Sequence, residues 1–378
     1  MRTEVSLYKY RLLPMLAVAL FSACFPALLF ANTLFELGIN GGYTDNLVGD
    51  SSSLVDRYST TTASVRFYPT SKTEFNVSGD AMFYDRNPGL SNRKIGIGAK
   101  FIPLNPESRL ALFLSSDFDI RRYRADYDRY NNNNFNVRTS IGYRLSATAR
   151  LRAGIQILGS EYLGSSSGDK TSAEAYLGFN TTLFGDNSID CELGYGSMDY
   201  RFIDPGLEFI DFENPEGALV SGKLRSFYLS PRFSRPLGSQ TGLNLTLSFR
   251  QFANDNDRIV YGSSVGLLSP WTSVWEGTSA TLTVKSYLIP HCVTTIGTGY
   301  WNRRHLRTIE NNMFPLVIGT DRDDEQVRSY CQVARPVLIG AGLLLQPYLS
   351  LEFSNNRSTN RLFEYTSFAI STGISLKL

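Results

Sequence analysis

The sequence predicts an all-β fold: a transmembrane, up-and-down antiparallel β-barrel of about sixteen strands. Three observations carry this expectation. Apolar and polar residues alternate with period two from end to end, the signature of strands with two unlike faces. Short turns alternate along the chain with long polar loops. The composition is also too polar for helical membrane spans, with a mean hydropathy of −0.15. Yet only 19 % of the 378 residues are charged, against roughly 25 % in soluble domains.

The alternation is explicit. Leu151, Ala153, Ile155 and Ile157 point one way, and Arg150, Arg152, Gly154 and Gln156 the other. Leu110, Leu112, Leu114, Phe118 and Ile120 oppose Arg109, Ser115, Asp117 and Asp119. Ala173, Ala175, Leu177 and Phe179 oppose Glu174, Tyr176, Gly178 and Asn180, and Leu243, Leu245, Leu247 and Phe249 oppose Asn244, Thr246, Ser248 and Arg250. A soluble sandwich alternates too. The barrel is favoured by the length of the strands and by a polar face that carries small residues and charges of both signs.

Tight connections are expected near 69–72, 103–108, 146–149, 185–188, 236–241, 290–291 and 340–342. Longer loops are expected near 126–133, 202–218, 254–270 and 302–324. Short periplasmic turns and long external loops mark outer-membrane barrels. The strands are expected near 34–44, 58–68, 73–84, 92–102, 108–121, 134–145, 149–161, 171–184, 187–200, 221–234, 241–253, 276–289, 292–303, 325–338, 344–354 and 363–378. Around 327–337 the two faces mix, with Arg328, Gln332 and Arg335 among Val327, Cys331 and Val333, so fourteen or eighteen strands remain open.

The N-terminus reads as an export signal. Arg2, Lys9 and Arg11 precede an apolar run from Leu12 to Phe30, and Leu29-Phe30-Ala31 offers a cleavage site. An uncleaved anchor helix and, from Phe21-Ser22-Ala23-Cys24, a lipoprotein are the alternatives. Residues 1–31 are therefore expected to be a signal peptide and 32–378 the barrel, in the outer membrane of a Gram-negative bacterium. Asn32 and Thr33 alone would separate cleavage site and first strand, leaving no room for a plug domain. Cys191, Cys292 and Cys331 are odd in number and widely spaced, which suits neither a disulfide framework nor a zinc site; Cys191 is expected to face lipid beside Ile189 and Leu193.

Aromatic residues fall at strand ends. Trp271, Trp275, Trp301, Tyr43, Phe83 and Tyr200 suggest an external girdle, and Phe67, Phe101, Tyr143 and Phe233 a periplasmic one. The C-terminus resembles the signal by which the barrel-insertion machinery recognises its clients. Ser371, Gly373, Leu376 and Leu378 occupy its polar, glycine, apolar and terminal positions; Leu378 stands where Phe is usual. Gly42-Tyr43-Thr44-Asp45-Asn46 resembles the turn that opens the β-barrel porins encoded beside exopolysaccharide export genes. That resemblance implies porin-like passage or polysaccharide export rather than chemistry, with polysaccharide export components as partners.

The net charge of +2 implies no nucleic-acid partner; outer-membrane lipid and lipopolysaccharide are the expected surroundings. Of the two histidines, His291 falls in a periplasmic turn near Ser286, with no acid to orient it. His305, with Asp321, Asp323 and Asp324, reads as part of a solvated acidic loop. No enzyme, cofactor or metal site is expected.

The inward face holds the candidate functional residues. Its periplasmic half should gather Arg66, Lys100, Arg109, Arg144, Arg150, Arg152, Arg232 and Lys285, with Glu74, Asp190 and Glu192 as counter-charges. Nearer the outside should lie Asp80, Asp117, Asp119, Glu161, Glu174, Asp199 and Glu352, with Arg121 and Arg138. Dry burial of so many charges would be prohibitive, whereas a wet lumen accommodates them. The expected function is a conduit for hydrophilic solutes or for polysaccharide. The alternative is a non-conducting surface or scaffold protein that binds through its loops.

Overall fold

In the computed structural model, residues 32–378 are described except 48, 50, 52, 104–107, 164–168, 204–218, 254–259, 262–274, 306–307, 311–316, 319–321 and 341. The expected signal peptide, Trp271, Asp321 and most of the expected loops at 202–218 and 254–270 lie outside the described residues.

Sixteen long strands form the wall. They are β1 (Thr33–Thr44), β2 (Asp56–Thr70), β3 (Thr73–Tyr84), β4 (Asn92–Phe101), β5 (Leu110–Tyr123), β6 (Asn132–Arg144), β7 (Ala149–Tyr162) and β8 (Lys170–Thr182). Then follow β9 (Ser188–Ile203), β10 (Leu219–Pro236), β11 (Thr241–Phe252), β12 (Glu276–Ser286), β13 (Val293–His305), β14 (Arg322–Ala334), β15 (Leu343–Ser358) and β16 (Tyr365–Lys377). Each pairs antiparallel with its sequence neighbour, and β1 pairs with β16 from Glu36↔Lys377 to Thr44↔Ala369, closing the sheet. Closure leaves no edge with unpaired backbone groups, which hydrocarbon demands. A small separate sheet joins 260–261, 308–310 and 317–318.

The outward face is greasy because alternate residues of every strand point outward. Ile95, Ile97, Ile155, Leu177, Leu193 and Ile296 are all exposed there, with Leu177 at 63 %. Cys191 shares this face, opposite Phe179 and Pro231. Proline positions show where the ladder yields. The β2–β3 register shifts between Phe67 and Thr70, beside Pro69, and the β10–β11 pairing skips Ser230 and Pro231. Proline has no N–H to offer either ladder.

Several boundaries differ from expectation. The strand expected at 325–338 starts at Arg322 and stops at Ala334; Arg335 N–H donates to Pro347 and a short strand resumes at Val337–Ile339. Its faces do not mix: Val327, Ser329, Cys331 and Val333 face out, and Arg328, Tyr330 and Gln332 face in. The strand expected at 276–289 ends at Ser286, and Arg109 precedes β5. The expected loop at 126–133 is a 3-10 turn, Ala125–Tyr130, running into β6.

All four aromatics of the expected girdle at the short-turn end face outward, Phe233 among them, whereas those at the other end divide. Phe67, Phe101 and Tyr143 face out near the short turns, and Tyr43 faces out at the other end. Trp301 and Tyr200, however, pair within the inward register, opposite Gln326 and Gly222. Glu161 and Asp199 are corrected in the opposite sense. They sit on the outward face, beside Asn133 and Lys223, at the long-loop rim. Above the apolar belt both faces are wet, so charge no longer marks the lumen.

Candidate functional site: the inner wall

The inner wall is shaped first by glycine. Tyr58 lies across Gly42, Tyr176 across Gly154, Tyr228 across Gly194, Tyr330 across Gly297 and Tyr348 across Gly373. At each of these glycines a Cβ would collide with the ring. The rings therefore lie flat against the wall instead of projecting into the lumen, and the hydroxyls of Tyr58, Tyr176, Tyr228 and Tyr330 reach polar partners along the wall. Gly373, expected as part of the insertion signal, has this packing reason of its own. A Cβ there would also stand 2.7 Å from the Ile39 carbonyl oxygen, across the closing seam. Ser371 shares its inward face; Leu376 points outward, and Leu378 exchanges backbone hydrogen bonds with Phe35.

The flat rings permit a charge lattice on β6–β10. Arg138 Nε donates to the Tyr176 hydroxyl at 2.9 Å, and its Nη2 donates to Glu192 at 3.0 Å. Arg152 Nη2 lies 3.0 Å from Asp190 and 3.4 Å from Glu192. The Tyr228 hydroxyl donates to Glu192 at 2.9 Å. Glu192 is thus the node of three donors. Replacing Gly194 by valine should force the Tyr228 ring off the wall, break its bond to Glu192 and narrow the lumen. Single-channel conductance should fall well below wild type while heat-modifiable gel mobility still reports a closed barrel; unchanged conductance would show that the ring has room elsewhere.

The other expected residues divide between paired and separate positions. Arg66 meets Glu36 at 3.9 Å, and Lys377 meets the same carboxylate at 3.1 Å. Lys100 donates to Glu74 at 3.0 Å. Arg328 bonds Glu352 at 2.8 Å, and Lys94 lies 3.9 Å from Asp119. Arg109, Arg144 and Arg150 come together through backbone register: Arg144 N–H donates to the Arg109 carbonyl, and Arg144 opposes Arg150. Arg232 opposes Asp190, and Lys285 lies over the Tyr287 ring at 5.6 Å. Asp80 opposes Lys94, Asp117 opposes Gly98 and Glu174 opposes Gln156, all on the inner register.

The long-loop end is packed rather than open-walled. Asp56 has no exposed surface. Its carboxylate accepts from the backbone N–H of Arg57, Asp85, Arg86 and Asn87 and from Asn87 Nδ2, at 2.7–3.1 Å. This pins the 85–91 loop over the wall, where Leu90 packs with Leu47, Leu54, Tyr84 and Tyr127. At the same end of the barrel, His305 ends β13 and is 4 % exposed, with Asp324 at 5 %. That overturns the expected solvated loop. His305 Nε2 lies 3.4 Å from Asp324 Oδ2, too poorly aligned for a hydrogen bond. Asp324 holds Arg322 at 2.9 Å, and Arg322 stacks on Phe363 at 3.7 Å. Two strand ends in adjacent register bring these residues together. Asp323, by contrast, is exposed. His291 stands in the 287–292 turn at a φ of 60°.

The sequence matches no protein-family model and no curated protein. Among solved structures, CdiB from Acinetobacter baumannii is similar at 10 % identity over 92 % of this chain and 60 % of that one, with a TM-score of 0.53. OccAB1 from the same organism is similar at 10 % identity over 92 % and 96 %, TM-score 0.47. OccK2 (OpdF) from Pseudomonas aeruginosa is similar at 12 % over 92 % and 98 %, TM-score 0.45. At such identities the likeness is one of architecture alone, a closed antiparallel β-barrel.

Proposed function

We propose that the chain is an outer-membrane conduit for small hydrophilic solutes, with a wall that favours anions at its periplasmic half. One observation carries this reading. Inward-facing charges in the lower and middle barrel keep much of their surface, with Arg66 and Lys100 side chains 43 % and Arg328 52 % exposed. A solid interior would leave no such surface, whereas a barrel of this size holds an aqueous channel unless loops fill it.

Arg109, Arg144 and Arg150 cluster on one wall at the short-turn end. Their field decays over about 8 Å at physiological salt, so selectivity should be modest and salt-sensitive. Converting all three to glutamate should move the reversal potential in planar bilayers toward cations, most at low salt. An absence of current from wild type, and from a variant lacking residues 204–218, would end the conduit reading.

The packed external end favours a second reading, a non-conducting surface protein, which the same null currents would support. Polysaccharide export is the finer reading that the Gly42–Asn46 resemblance implies. Acidic oligosaccharides should then block the current, and glycosyltransferase genes should lie beside this one.

A further inference from the structure

On adjacent antiparallel strands, directly opposed side chains stand about 4.5–5.5 Å apart at Cβ, and like charges there are destabilising. Other cations of the outward rim obey this rule. Lys223 lies 3.7 Å from Asp199, Arg304 lies 3.8 Å from Glu276 and opposes Asp323, and Arg357 opposes Glu325. Arg93 and Arg122 break it. They oppose one another on β4 and β5, on the outward face. The next outward pair toward the periplasm is Ile95 opposite Ile120, with Ile95 62 % exposed. Two residues of strand rise about 7 Å, so the two guanidiniums stand just above the apolar belt, at headgroup depth.

Arg122 is fixed in place. Its Nη1 donates to the carbonyls of Arg121 and Asn132 at 2.8 and 3.0 Å, and its Nη2 donates to Asn133 Oδ1 at 2.9 Å. Asn133 in turn donates to Glu161 at 3.3 Å, so that carboxylate reaches Arg122 only through the amide. Arg93 is exposed and its side chain holds no hydrogen bond or ion pair among the described residues. One guanidinium is thus preorganised and the other open, and neither is bonded directly to a carboxylate among the described residues. An anion placed between them would take charge-assisted bonds from the open fork of Arg93 and from the two donors Arg122 has left, Nε and one Nη2 hydrogen. Depth selects the source of the anion: a phosphate carried by a lipid whose acyl chains lie along Ile95, Ile97 and Phe118.

We infer that Arg93 and Arg122 form a clamp for the phosphate of an outer-leaflet glycolipid headgroup. The inference rests on membrane placement and on the long loops facing outward, not on whether the lumen conducts. The test is binding of bis-phosphorylated lipid A to the purified, folded full chain in detergent, read by native mass spectrometry or fluorescence titration. Wild type should bind it at least tenfold more tightly than R93Q/R122Q. R93Q alone, which disturbs no bond within the protein, should lose several-fold and decides the matter if the double variant fails to fold. Dephosphorylated lipid A should bind wild type no better than the double variant binds the phosphorylated form, and millimolar inorganic phosphate should not compete. Equal affinity for wild type and R93Q, or an equal loss in a K223Q control, would overturn the clamp. Competition by inorganic phosphate at lipid A concentrations would overturn the glycolipid assignment.

Discussion

Replacing Asp56 by alanine should release the external loop at 85–91 while leaving the barrel closed. Four backbone N–H groups and one amide converge on this carboxylate. Hydrogen bonds to a charged group contribute about 1.5–3 kcal/mol each, net of water. Water can replace some of them once the loop moves, so two lost bonds are a sober count. That is about 3 kcal/mol, or more than a hundredfold in the local opening equilibrium, which is independent of global unfolding. Trypsin should then cut after Arg86 in membrane-embedded protein at least tens of times faster than in wild type. The Leu47–Leu90 packing should loosen with the loop, and conductance should rise. Asparagine should rescue little, because its amide would turn a donor toward converging donors. Cleavage within threefold of wild type would show that the loop is held by its apolar contacts instead.

Removal of Glu192 should act on the field of the lumen more than on stability. The carboxylate covers Arg138, Arg152 and the Tyr228 hydroxyl at once. These side chains are partly exposed, Arg138 and Arg152 at 32 % and Glu192 at 19 %, so water compensates much of the lost pairing. Glu192→Ala should therefore cost about 1 kcal/mol of stability or less. Electrostatically, two guanidiniums lose their counter-charge, although Arg152 keeps Asp190. An uncovered unit charge at 4 Å in water is worth about 1 kcal/mol, so the local anion concentration should rise about fivefold at low salt. Reversal potentials should shift toward anions and relax toward wild type at high salt. Glutamine at this position, which still accepts from Tyr228, should shift them as far, because charge rather than geometry is lost. An unshifted potential in a conducting channel would place the ion path away from the β6–β10 wall.

The two variants concern residues of very different legibility. Glu192 is readable by alternation alone, because Cys191 and Leu193 flank it and its own side is polar. Asp56 gives no such signal. Its five donors lie up to 31 residues away, and only the loop's return over β2 makes them neighbours. Trp301 was legible in principle. Gly297, Gly299 and Arg303 share its parity and mark the inner face, which outweighs its position at a strand end. Glu161 and Asp199 mislead for a physical reason. The rule that charge marks the inward face holds only along the apolar belt of the outward face, and both residues lie beyond it.

The sequence by itself determined what depends on the local chain: strand existence, the two faces, the alternation of short and long connections, and hence a closed barrel of about sixteen strands. A period of two is a property of each strand alone, and it survives without knowledge of any neighbour. The tertiary structure decided everything that depends on register. It placed each tyrosine across its glycine, gathered Arg138, Arg152 and Tyr228 around Glu192, set Arg93 against Arg122, and buried His305 beside Asp324. Each contact joins residues on different strands, and sliding one strand by a single residue inverts every face it presents. Such pairings follow from how the whole sheet staggers as it closes, a constraint that no single strand carries.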